Sequence, residues 1–340
     1  MSFARIVQIG AQIGAEIGAQ IGARESRIMT RAFIFPGQGS QKVGMGKELA
    51  QDSLQAREVF QEVDDALGQN LFRLMCEGPV EELQLTENAQ PAIMANAIAT
   101  LRVLQYEAGS DMPVMFSFVA GHSLGEYSAL CAAGSVDLAT TARLLKIRGQ
   151  SMQAAVPVGA GAMAALLGIE FEEALQAAER AAQGEVCAVA NDNAFGQAVI
   201  SGHTSAVERA LPIAKELGAR KAMMLPVSAP FHCALMQPAA DRMAGTLAET
   251  EIAAPVVPIY ANVTAAPVSD PAAIRALLVE QVTSMVRWRE SVIAMQAAGV
   301  DHFIELGGRV LAPLIKRIVE DVLSESVVDM YNIESLLEVV

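Results

Sequence analysis

Gly121-His122-Ser123-Leu124-Gly125 carries the sharpest chemistry in the sequence. It follows an apolar run that reads as a strand and precedes a stretch that reads as a helix. That context turns GxSxG into a nucleophile elbow. A tight strand-to-helix turn needs small neighbours, hence the glycines, and it pushes the Ser123 hydroxyl out of the turn. The main-chain N–H of Leu124, at the start of the helix, can then face a developing oxyanion. A serine at its ordinary pKa is a poor nucleophile and needs a base. The chain has four histidines. His122 is next to the serine in sequence, so its side chain points elsewhere and it reads as structural. His203 falls in a loop ahead of a helix, and His302 opens a strand. His232, in the rigid segment Ser228-Ala229-Pro230-Phe231-His232-Cys233, is the base by elimination. Cys233 beside it is set aside as a nucleophile because adjacent side chains diverge. No acid stands out to hold the histidine, a task that a main-chain carbonyl can also perform. Without further information, a serine esterase or thioesterase remains an alternative.

Other chemistries fail on spacing. Gly37-Gln38-Gly39 is followed by Lys42 where a dinucleotide fingerprint needs glycine, and Gly46-Lys47 lacks the earlier glycine of a P-loop. Cys76, Cys131, Cys187 and Cys233 are far apart with no CxxC, which argues against a zinc site or a disulfide framework and for a reducing, cytoplasmic compartment. Arg148 fits two descriptions equally: a surface arginine at a helix end, or a planar donor for a carboxylate. The net charge of −14 argues against nucleic acid and against anionic membranes as partners. Mean hydropathy is +0.34. The longest uncharged run, 21 residues from Gly149 to Ile169, is interrupted by Pro157, Gly159, Gly161 and Gly168 and does not read as a membrane span.

The elements that must position these groups read as α/β. Arg31–Phe35 is a buried strand stopped by Pro36-Gly37, and Met112–Ala120 is a second one ending at the elbow. Residues 53–110 read as helices broken at Gly68 and Gly78-Pro79, and Asp137 caps a further helix running to about Ala155. From Ala162 to Pro226 the order strand–helix–strand–strand–helix–strand is the ferredoxin-like pattern. Later come a strand at Val257–Ala261, a helix around Pro271–Ser284, a strand at His302–Leu306 and a final helix from Val310. The expected architecture is an α/β-hydrolase-like large domain made of residues 29–157 and 228–340, with a ferredoxin-like small domain, 158–227, inserted. Residues 1–28 hold a tetrapeptide repeat (VQIG, AQIG, AEIG, AQIG) whose glycines oppose a stable helix; they read as a tail outside the fold, with Met29 as the natural start.

Three separated motifs, Phe35-Pro36-Gly37-Gln38-Gly39-Ser40-Gln41, Gly121-His122-Ser123-Leu124-Gly125-Glu126-Tyr127 and Pro230-Phe231-His232, occur in an order that resembles the malonyl-CoA:acyl carrier protein transacylase family. The resemblance runs from Met29 to about Glu320. It implies ping-pong acyl transfer from malonyl-CoA to the phosphopantetheine thiol of acyl carrier protein, through a malonyl ester on Ser123, with His232 as base and with no cofactor and no metal. By the same resemblance the Gln38 and Leu124 amides hold the oxyanion, the Gln281 main-chain carbonyl orients His232, and Arg148 grips the malonyl carboxylate. Gln90 then lines the pocket and Phe231 crowds the malonyl α-carbon. The Asn191–Gln197 stretch is similar to the family's loop at the domain junction. Gly307-Gly308-Arg309 departs from the family's Gly-Pro-Gly or Gly-Pro-Lys. An acidic carrier must dock on a local basic patch: Arg287, Arg289, Arg309, Lys316 and Arg317, or Lys215, Arg220 and Lys221. A monomer is expected.

Overall fold

The computed structural model describes residues 29–109, 116–227 and 229–338. The N-terminal repeat and the first part of the expected strand at Met112–Ala120 lie outside the described residues. The larger sheet has six strands: β1 (Arg31–Phe35), β2 (Phe118–Gly121), β7 (Ile259–Ala261), β8 (Ala266–Val268), β9 (His302–Leu306) and β10 (Leu323–Val327), ordered β10-β9-β1-β2-β7-β8. All neighbours are parallel except β7 and β8.

The apolar runs are explained by burial on both faces, as parallel strands require. Along β1, Phe33 and Phe35 enter one core while Ala32 and Ile34 enter another on the opposite side. β9 divides the same way, with Phe303 on one side and Ile304 and Leu306 on the other. β1 and β2 run side by side and end together, with Phe35 opposite Gly121. Their following loops, which hold Gln38 and Ser123, therefore meet at one edge of the sheet.

The second sheet has four antiparallel strands, β3 (Gly161–Leu167), β4 (Cys187–Ala194), β5 (Gln197–His203) and β6 (Lys221–Met224), ordered β4-β5-β3-β6. Helices Phe171–Ala182 and Thr204–Glu216 cover one face through a small core of alanines, Leu166, Val189, Ile200 and Val207. The helix Leu138–Ala154, which carries Arg148, is capped by the Asp137 side chain accepting from the Thr140 N–H at 2.8 Å, a bond that contributes about 1 kcal/mol.

Three expectations are corrected. The chain after Val310 is not one helix: Ala312–Ile318 is helical, then comes β10, then a helix Met330–Leu337. β10, Leu-Ser-Glu-Ser-Val, is an edge strand with little apolar content, which is why no run marked it. Asn191–Ala194 is not a loop but the bulged end of β4. His203 ends β5 and accepts the Val186 N–H at 2.9 Å rather than lying in a loop.

Candidate active site

Ser123 sits between β2 and the helix Gly125–Ala132 with φ of 54°, the left-handed region that a side chain rarely adopts. The flanking glycines are required by contact. A Cβ on Gly121 would lie 1.9 Å from the Gly125 carbonyl, and one on Gly125 would lie 2.2 Å from the Phe35 carbonyl oxygen. Gly37 abuts the turn from the other side, where a Cβ would come within 2.7 Å of the His122 carbonyl oxygen. The Gln38 loop thus rests directly on the elbow. Neither the Gln38 nor the Leu124 amide donates to a main-chain acceptor among the described residues.

His232 is buried and also left-handed, with φ of 59°. Its Nδ1 lies 2.8 Å from the Gln281 carbonyl oxygen, which can only accept, so Nδ1 carries the proton and Nε2 is free to accept. The Ser123 hydroxyl is 2.7 Å from Nε2 and donates to it. Burial, with the Arg148 cation beside it, pushes His232 down from the usual imidazole value to about 3. At neutral pH the ring is an uncharged acceptor aimed at the serine. The other histidines are engaged elsewhere: His122 Nε2 donates to Asn193 Oδ1 at 2.8 Å, and His302 pairs with Glu325 at 2.6 Å. The Cys233 thiol donates to the Pro230 carbonyl.

Arg148 is 1% exposed, which settles its two descriptions against a surface helix-end arginine. It donates through Nη1 to Gln90 Oε1 at 2.9 Å, and through Nη2 to Ser123 Oγ at 3.1 Å and Gln281 Oε1 at 2.9 Å. Its Nε is buried without a partner. It forms no ion pair among the described residues, and burial lowers its affinity for its own proton. A buried guanidinium held by neutral amides beside a serine hydroxyl is costly to bury unless an anion pairs with it. Ser123, His232, Arg148, Gln90 and Gln281 are therefore brought into one hydrogen-bonded cluster. Phe231 is buried next to His232 in the chain and packs in the main core.

The sequence matches the acyl transferase domain family over residues 32–334. A malonyl CoA-acyl carrier protein transacylase from Salmonella typhimurium is 47% identical over 290 residues, covering 85% of this chain and 93% of that protein. The chain belongs to the malonyl CoA-acyl carrier protein transacylase family. Among solved structures, an acyl-carrier-protein-S-malonyltransferase from Bartonella henselae superposes with a TM-score of 0.89 at 51% identity, covering 92% of this chain and 99% of that one. A malonyl-transacylase solved in complex with a type II polyketide synthase acyl-carrier protein matches with a TM-score of 0.88 at 42% identity, covering 92% of this chain and 100% of that one.

Two polar residues of the cluster escaped the sequence reading. Glu126, inside the elbow motif, is 2% exposed, and burial pushes its carboxyl up to about 7 against the opposing pull of the Asn262 N–H, the Gln281 amide and Arg148. Asn262, just past β7, is 1% exposed. An acid in the first turn after the elbow was a readable signal for Glu126; nothing local marked Asn262. Much of the first basic patch is already paired: Arg287 with Glu290, Arg289 with Asp192 at 2.7 Å, and Arg309 with Asp329 at 3.3 Å. Lys316, Lys215, Arg220 and Lys221 are exposed and form no ion pair among the described residues. No group of metal-ligating side chains occurs among the described residues, and no described helix is long and apolar enough to cross a membrane.

Proposed function

We propose that this protein moves a malonyl group from malonyl-CoA to the phosphopantetheine thiol of acyl carrier protein, in two half-reactions joined by a malonyl ester on Ser123. The observation that carries this reading is the relay from Ser123 Oγ to His232 Nε2 at 2.7 Å and from His232 Nδ1 to the Gln281 carbonyl at 2.8 Å, set beside a buried arginine that donates to Gln90, Gln281 and Ser123 and ion-pairs with no carboxylate among the described residues.

In the first half-reaction Ser123 Oγ attacks the thioester carbonyl and its proton passes to His232 Nε2. The oxyanion is held by the Gln38 and Leu124 amides. The C–S bond breaks, and the proton leaves with CoA as its thiol. In the second, the carrier thiol gives its proton to His232, its sulfur attacks the ester, the C–O bond breaks and Ser123 regains the proton. Arg148 binds the free malonyl carboxylate through two parallel bonds, Gln90 orients Arg148, and Phe231 crowds the α-carbon. The chemistry so written uses side chains and main-chain amides alone. The exposed Lys215, Arg220 and Lys221, with Lys316, remain for an acidic carrier. In this reading the larger sheet, whose elbow follows β2, is α/β-hydrolase-like. The β4-β5-β3-β6 sheet with its two helices is a ferredoxin-like insert, residues 158–227. The protein acts as a cytoplasmic monomer.

Mass spectrometry of the protein after malonyl-CoA tests the reading. A malonyl adduct on the Ser123 peptide, discharged by the carrier thiol and persistent in water, is the expected result. Rapid loss to water would indicate a hydrolase, and no adduct would remove the transferase reading. The pH profile of the first half-reaction is a second check. With His232 at about 3, the base stays neutral well below the ordinary value of 6.5. The acylation rate is expected to be flat between about pH 5 and 8. A step at the ordinary histidine value that persists in Glu126→Gln, which removes the buried carboxyl that burial pushes up to about 7, would show that His232 is not a buried, neutral base.

A further inference from the structure

Ser123 and His232 are both held in left-handed backbone conformations, a strain of about 1–3 kcal/mol each that the surroundings must offset. The residues that offset it converge on one atom. Glu126 Oε2 accepts the Asn262 main-chain N–H at 2.9 Å and the Gln281 side-chain amide at 2.9 Å. From there each partner reaches the reacting pair. The Asn262 side chain accepts the Ser123 N–H at 2.7 Å and donates to the Gly121 carbonyl at 2.6 Å, so one amide clamps both walls of the elbow. It can do so because β7 pairs with β2, Tyr260 opposite Ala120, and the chain emerges beside the turn. The Gln281 side-chain amide also donates to the Ser123 carbonyl at 3.1 Å, while the Gln281 main-chain carbonyl holds His232.

We infer that Glu126 and Asn262 are positioning residues, which act through Gln281 and the elbow backbone to fix the Ser123 hydroxyl and the His232 ring in register. Neither touches the acyl group. Asn262 stands in for the ladder bonds that the turn has lost, and Glu126 ties the serine's support to the histidine's. Because both donors meet Oε2, the work is done by one acceptor oxygen rather than by charge. Glutamine can supply that oxygen. Methionine, of similar length, cannot, and it leaves two buried N–H groups unpaired.

The inference rests on the acyl-transfer reading only for its choice of substrate, so the test pairs malonyl-CoA kinetics with labelling of Ser123 by a fluorophosphonate, which reports an activated serine whatever acyl group it serves. In Glu126→Met, labelling is expected to fall about tenfold or more, and kcat to fall with it while KM for malonyl-CoA stays within about twofold. Glu126→Gln is expected to restore both to within about threefold of the parent. Should the methionine variant not fold, Asn262→Ser supplies the same reading: it keeps the main-chain N–H to Glu126, removes the clamp on Gly121 and Ser123, and is expected to slow labelling by a similar factor. A folded Glu126→Met or Asn262→Ser protein labelled at the parental rate would overturn the inference. So would a Glu126→Gln protein as slow as the methionine variant, or a parent protein that the probe does not label. Loss of labelling in the variants alongside a parent that takes no malonyl group would sustain the inference and reject the proposed substrate.

Discussion

His232→Asn is expected to slow acylation of Ser123 by about 10²–10⁴-fold, the usual contribution of a positioned general base. Asparagine tolerates the left-handed backbone at this position better than most side chains, so the effect reads chemistry rather than folding. No substitute base is at hand. His122 donates to Asn193, and the Cys233 thiol is spent on the Pro230 carbonyl. The measurement is the time course of malonyl adduct formation, with melting temperature as the control. A rate within about tenfold of the parent, in a protein that melts normally, would remove His232 from the reaction.

Arg148→Ala is expected to cut the preference for malonyl over acetyl thioesters by about 10²-fold. Truncating one partner of a buried, hydrogen-bonded charge pair costs about 2–5 kcal/mol, and each 1.4 kcal/mol is a factor of ten. Arg148 also supports Ser123, Gln90 and Gln281, so the absolute rate falls for both substrates. The ratio of the two kcat/KM values divides out that shared loss. Arg148→Lys keeps the charge and loses the planar fork, and is expected to fall between parent and alanine. An unchanged ratio in Arg148→Ala would take the arginine out of carboxylate recognition.

What could be read from the sequence follows the range of each interaction. The elbow was legible because its constraints are local: Gly121, Ser123 and Gly125 lie within five residues, and their spacing reports the close contacts directly. β1 was legible because a strand buried on both faces must be apolar throughout. His232 followed from the scarcity of histidines, but its holder did not. The Gln281 carbonyl belongs to the main chain and leaves no mark in residue type, so only the family resemblance pointed to it. Arg148 remained open because the burial of a side chain within a helix depends on what packs over it. Asn262 was invisible: it reaches Ser123 across 139 residues of chain. β10 carries two serines and a glutamate at a sheet edge, where no hydrophobic pattern is imposed. The pairing of Arg289 and Arg309 within the first basic patch was not legible because their partners, Asp192 and Asp329, are distant in sequence.

The bond from the Gln281 amide to the Ser123 carbonyl closes over 158 residues, and the antiparallel sheet is threaded between the segments that carry Arg148 and His232. This has a consequence for the order of events on the ribosome. Ser123 and Arg148 emerge early and can join folding structure as synthesis proceeds from the N-terminus. The histidine arrives only after the whole small sheet, and the clamp at Asn262 and the carbonyl of Gln281 that fixes the imidazole come later still. A nascent chain therefore exposes Ser123 long before it has made the histidine and the carbonyl that the folded protein sets beside it.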